Sequence, residues 1–250
     1  MGGAVVLKHN VQYATRYLRN VSRQVAFARA VALSKTVLHI KSDEVTAMTE
    51  VFDRPTPWVL NSVKTRMATI SKPEASVFIK TWGNKGASPA EVLTPQVEGG
   101  GRGFKAFEGA LLAGGFIYPG DYVVPAAGAK LDSYGNPSRG QIVQIMSQLR
   151  VQRSSGFDSF ASNSAASRRS RRRQGVAYFA LRWRRGKLKP GIYMRKDFAH
   201  GSAVKPVFLF VGTPVYQSRF KFFEIAQRSA ERYFPIYYQE AMTHALKTAR

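Results

Sequence analysis

Residues 176–212 read VAYFALRWRRGKLKPGIYMRKDFAHGSAVKPVFLFVG, and the way this stretch folds decides the class of the whole chain. Three strand candidates follow one another in it. VAYFALRW alternates, with Phe179, Leu181 and Trp183 on one side; GIYMR comes next; KPVFLFVG is apolar enough to be central in a sheet. RRGKLKP, with Gly186 and Pro190, suits a hairpin turn between the first two. The C-terminal half therefore holds a small, mostly antiparallel sheet.

Helices flank that sheet in sequence. From 11 to about 40, Ala14, Tyr17, Leu18, Val21, Val25, Ala28 and Ala32 form one apolar stripe, with Arg16, Arg19, Arg23 and Arg29 largely off it. KSDEV offers Ser42 or Asp43 as the N-cap of a second short helix reaching Phe52, and Asp43 with Glu44 reads as an acidic pair facing that helix's dipole. Thr56 followed by Pro57 marks a further helix over about 57–69. EASVFIKTW has the alternation of a strand. The chain closes with a helix from about 219 to 249, striped by Phe222, Ile225, Ala226, Tyr233, Ile236, Tyr237, Ala241 and Leu246, which Pro235 should kink or divide.

The middle is looser. VEGGGRGF lacks the Gly-Lys-Ser/Thr ending of a phosphate loop and reads as a flexible hinge. FKAFEGALLAGG and RGQIVQIMSQLR are helical, the latter with Ile142, Ile145, Met146 and Leu149 on one face, and the turn-rich FIYPGDYVVPAAGAKLDSYGNPSRGQ separates them. Residues 153–175 are rich in Ser and Arg, have few large apolar groups to offset their ordering entropy, and read as a mobile surface loop. The expected fold class is α+β: N-terminal helices packed on a small mostly antiparallel sheet, closed by a long C-terminal helix, in one domain over 1–250 with a loose insertion at 91–167.

Charge narrows the function. The 250 residues carry 38 Lys plus Arg against 15 Asp plus Glu, a formal net charge of +23, which calls for nucleic acid, an anionic surface or an acidic protein as partner. There is no cysteine, so no disulfide or thiolate metal site exists, and His9, His39, His200 and His244 show no ligand spacing. The opening MGGAVVLKHN has neither the length of a signal core nor a basic residue before it, and no apolar run approaches the span of a bilayer. His200 near Asp197 lacks a Gly-x-Ser-x-Gly elbow and reads as a loop histidine. The expectation is a protein that is not an enzyme and uses no cofactor or metal.

Two cationic clusters stand out. Arg168, Arg169, Arg171, Arg172 and Arg173 form a dense block, and Arg182, Arg184, Arg185, Lys187 and Lys189 surround the hairpin, with no acidic residue between 167 and 195. They are the expected contacts to a DNA backbone or an acidic partner, since no sequence-reading motif accompanies them. Phe222, Phe223, Tyr233, Phe234, Tyr237 and Tyr238 are too many for one narrow stripe and are the expected subunit interface.

Residues 187–246, KLKPGIYMRKDFAHGSAVKPVFLFVGTPVYQSRFKFFEIAQRSAERYFPIYYQEAMTHAL, resemble the C-terminal half of the tail-completion or minor tail protein Z family of tailed bacteriophages. The resemblance rests on Pro190, Gly191, Ile192, Tyr193 and Arg195, the strand 207–211, then Pro214, Tyr216, Arg219 and Phe220, and finally Ala245 and Leu246. QVAFARAVALSKTV and VFDRPTPWVLNSVKTRMATISKPEASVFIK are similar to the family's opening. The resemblance implies a structural virion protein at the head–tail junction, assembled in the host cytoplasm as a homo-oligomeric ring. Its neighbours would be portal or connector and tail-tube proteins and the backbone of the genomic DNA, with no membrane involved. The alternative is a non-sequence-specific nucleic-acid-binding protein acting in the host cytoplasm.

Overall fold

The computed structural model describes residues 11–83, 86–151, 176–198 and 201–248. The fold class is α+β, with a long N-terminal helix, two antiparallel sheets and a long C-terminal helix. The span expected as one domain divides into two compact units, one of Met1–Phe52, Pro57–Lys80 and Phe220–Arg250, the other of Asp53–Thr56 and Thr81–Arg219.

The first unit is built on α1 (Val11–Val51) and α6 (Phe222–Thr248). Ala28, Ala32, Thr36, Ile40, Glu44 and Met48, one residue in every four, are all buried along α1, the row that helical geometry lines up on one face. On α6 the buried positions are Phe222, Ser229, Ala241 and Ala245. Ala28 packs on Ala241 and Ala245, while Asp43 reaches Ser229 and Phe52 reaches Phe220, so the two helices run antiparallel. Ile236 and Leu246, placed on the stripe by periodicity, are each 48% exposed.

Two sequence expectations fail here, for one reason. Residues 41–52 do not start a new helix: α1 runs on through Val51, and its buried row continues through Glu44 and Met48. The segment 57–69 forms only the single turn α2 (Pro57–Leu60) before β1 (Val63–Arg66), which pairs antiparallel with β2 (Ser76–Ile79) in the register Val63↔Ile79 to Arg66↔Ser76. Cross-strand pairing and the complete burial of Val63 outweigh local helix signals. Pro235 does not divide α6.

The second unit holds α3 (Pro89–Val97), α4 (Ala106–Ala113), β3 (Tyr122–Pro125), α5 (Arg139–Leu149), β4 (Val176–Leu181), β5 (Gly191–Phe198) and β6 (Gly201–Val211). The four strands lie in the order β3-β6-β5-β4, every pair antiparallel, with the apolar β6 internal as its composition requires. Leu111 of α4 and Ile145 and Met146 of α5 cover Val123, Tyr178, Ile192, Val207 and Phe208 on one sheet face. The described part of the expected insertion thus supplies an edge strand and much of this core. On β4 the core face is Val176, Tyr178 and Ala180, opposite to the Phe179–Leu181–Trp183 alternation; Phe179 stacks instead on Tyr193. The register shifts between Ile192 and Tyr193, where the partner strand carries Pro206, a residue with no N–H to give to the ladder.

Pro190, Gly191, Ile192 and Tyr193 explain themselves in this sheet. Ile192 and Tyr193 are buried on opposite faces, and the Tyr193 hydroxyl donates to the Lys189 carbonyl at 2.7 Å. A Cβ on Gly191 would stand 2.4 Å from the Phe208 carbonyl oxygen and 3.1 Å from Leu209 Cα. Gly191→Ala must therefore part β5 from β6, and we expect a loss on the order of 3 kcal/mol in urea unfolding. Gly103→Ala, where a Cβ meets nothing within 4 Å, serves as the neutral control.

Candidate functional site

The β4–β5 hairpin closes on Arg185 and Leu188, whose N–H and C=O groups bond each other in both directions at 3.0 Å, with Gly186 at φ 58°. Arg184 Nε donates to the Gly186 carbonyl at 3.1 Å. At the end of β4 the Arg182 guanidinium lies 4.7 Å from the Tyr118 ring centroid and 5.0 Å from that of Trp183. Its Nε is buried without a hydrogen-bond partner, and the two rings lie against the ion. Trp183 is 65% exposed. Gly115, Phe116, Ala180, Leu181, Arg182 and Trp183 border an open cleft of about 580 Å³. Among the described residues, none of Arg182, Arg184, Arg185, Lys187 and Lys189 is paired with a carboxylate.

The block Arg168, Arg169, Arg171, Arg172 and Arg173 lies outside the described residues. Val176, the first described residue after it, pairs with Lys196, while the hairpin leaves β4 at Leu181, roughly 17 Å further along the strand.

Of the six aromatic residues expected at an interface, one is buried within the chain, four are half-buried and one is exposed. Phe222 is buried and meets Phe220 edge-on. Tyr233 lies against His39 with ring centroids 3.6 Å apart, and the Tyr237 hydroxyl bonds His39 Nδ1 at 3.0 Å. Phe234 and Tyr238 stack on each other at 5.8 Å and stay half-buried, and Phe223 is 64% exposed.

The glycine-rich segment, expected to be a hinge, is pinned. Gly100 and Tyr216 exchange backbone hydrogen bonds of 2.9 and 2.8 Å, and Gly99 and Gly100 hold φ of 84° and 87°, a region that glycine alone enters freely. The segment does cradle an anion, but one supplied by the chain. Glu108 is 1% exposed and accepts from Arg102 Nη1 and Nη2 at 2.6 Å each, from the Lys105 N–H at 2.7 Å and from the Val123 N–H at 2.9 Å. Burial pushes its carboxyl up, but the bonds from Arg102 and from the two amides outweigh that and hold it below the usual range. Arg102 also lies over the Tyr122 ring at 4.7 Å, and the Tyr122 hydroxyl donates to the Arg102 carbonyl.

Sequence reading also missed the charged groups between α1 and α6. Asp43 is not at a helix start; it accepts a short hydrogen bond from the Ser229 hydroxyl and lies 3.7 Å from His39 Nε2. Glu44 is fully buried with neither carboxylate oxygen bonded, and burial, with the Asp43 charge adding, pushes its carboxyl up to about 8. Only its place in the every-fourth-residue buried row marks it in the sequence. His200 and the Asp197 side chain lie outside what is described. No group of three or more His, Asp or Glu that would hold a metal occurs among the described residues, and no helix among them is long and apolar enough to cross a membrane.

Fold and surface together define a two-unit α+β protein whose β4–β5 hairpin carries cations that have no carboxylate partner among the described residues, beside an exposed indole. Compared with family models, curated proteins and solved structures, the chain gives no match.

Proposed function

We propose that this chain is a structural protein of the phage head–tail junction, working in a ring with portal or connector and tail-tube proteins around the DNA passage. The observation that carries the reading is the hairpin: five cations without carboxylate partners among the described residues, on a chain of net charge +23, call for an outside polyanion to balance them. The family resemblance supports the same reading and falls on residues that this fold uses for packing, among them Gly191, Tyr193 and Phe220. No catalytic step is assigned.

Purified particles of the source phage should contain this protein, and removing its gene should leave filled heads and finished tails unjoined. Its absence from mature particles counts against the junction role.

A second reading, a non-sequence-specific nucleic-acid-binding protein, is favoured by the exposure of Trp183 beside the cations. Both readings expect the isolated chain to bind DNA with a steep salt dependence. Replacing Arg184, Arg185, Lys187 and Lys189 with Ala should weaken binding and flatten the slope of log K against log salt by up to about 3 to 4. An unchanged slope removes the hairpin from the DNA contact.

A further inference from the structure

We infer that the cleft at the base of the β4–β5 hairpin binds unpaired nucleobases, with Trp183 as the stacking platform, so that the preferred polyanion is single-stranded nucleic acid rather than duplex. The inference rests on the polyanion reading of the hairpin and adds to it the form of the ligand.

Three observations converge. Trp183 keeps 65% of its surface in solvent although Phe116 and Leu181 lie beside it in the same cleft. A large indole left bare next to apolar side chains is a binding face awaiting a partner. The Arg182 guanidinium lies over both the Tyr118 and the Trp183 ring and so sets a cation against the indole. Arg184, Arg185, Lys187 and Lys189 are all exposed around it, free to meet phosphates on either side of a stacked base.

Aromatic faces interleaved with cations are the general means of binding single strands, where every base offers a π-face and the backbone offers its charge. In a duplex the base faces are already covered by neighbouring pairs, so the indole gains nothing from it. An acidic protein would use the cations and leave the ring bare. A membrane surface would first meet the hairpin tip, and the tip is Gly186 and exposed Lys187, with Trp183 nearer the end of β4 beside Arg182.

The test is calorimetric titration of the full chain with a 20-nucleotide oligothymidylate, a 20-base-pair duplex, inorganic polyphosphate and phosphatidylserine vesicles. We expect Trp183→Ala to weaken oligothymidylate roughly tenfold, to leave duplex and polyphosphate binding unchanged, and Trp183→Phe to keep most of the affinity. Unchanged oligothymidylate binding by Trp183→Ala, with polyphosphate still bound, overturns the stacking site and spares the polyanion reading. Equal weakening toward all polyanions, or loss of vesicle binding as the main effect, also overturns it. If wild type binds none of the four, both the stacking site and the polyanion reading fall.

Discussion

Glu108→Ala is expected to destabilise the unit built on the four-stranded sheet by about 3–5 kcal/mol, the usual cost of removing one partner from a buried ion pair. The carboxylate receives four hydrogen bonds, two from Arg102 and two from the backbone amides of Lys105 and Val123. Without it, the Arg102 side chain, only 14% exposed, keeps a charge that no water shell replaces, and two amides at the start of α4 and β3 lose their acceptor. Glu108→Gln keeps the shape and one acceptor oxygen and should cost less. Replacing both partners with apolar residues, Arg102→Met with Glu108→Leu, should recover part of the loss, because no unpaired charge remains. Urea unfolding at neutral pH reads all of these. A double variant no more stable than Glu108→Ala would show that packing, not charge, dominates the site. Since Glu108 titrates below the usual range, its contribution is complete above the pH at which unfolded Glu ionises and is lost only as pH falls through the lowered value.

The second large effect has the opposite sign in pH. Glu44 holds its proton up to about pH 8 in the folded chain, against an ordinary value of 4.5. Its stabilising contribution is complete below the ordinary value and is lost as pH rises to 8, at up to about 1.4 kcal/mol per pH unit and on the order of 5 kcal/mol in all. Above pH 8 both states are ionised and the slope ends. Urea midpoints of the unit holding α1 and α6 should therefore fall steadily between pH 5 and 8. Glu44→Gln, which cannot ionise, should flatten that profile and be the more stable protein at pH 8. An unchanged slope in Glu44→Gln would assign the pH dependence to other groups.

Both residues show where sequence reading stops. Glu108 was legible as part of a helical segment, yet its partner Arg102 was hidden in a run of glycines that reads as slack chain. The glycines are there because Gly99 and Gly100 take positive φ where the loop bonds to Tyr216, a residue of another part of the chain. Glu44 read as an acidic residue near a helix start because Ser42 and Asp43 are good caps; the buried row on α1 overrode that local preference. The cationic hairpin, in contrast, was legible in full, since a turn and its flanking charges are local, while the bare indole at its base was not: the alternation put Trp183 with Phe179 and Leu181 on one strand face, but β4 ends before it.

The sequence alone determined the α+β class, the two long terminal helices, the antiparallel sheet around 176–211 and the excess of positive charge, because periodicity, turn chemistry and composition act over a few residues. Tertiary structure decided that α1 continues through residues 41–51, that 63–66 is a strand, and which aromatic residues of α6 are covered. Those outcomes depend on partners far away in the chain, as Asp43 and Ser229, 186 residues apart, show by their hydrogen bond, and no local pattern carries information about a contact of that range.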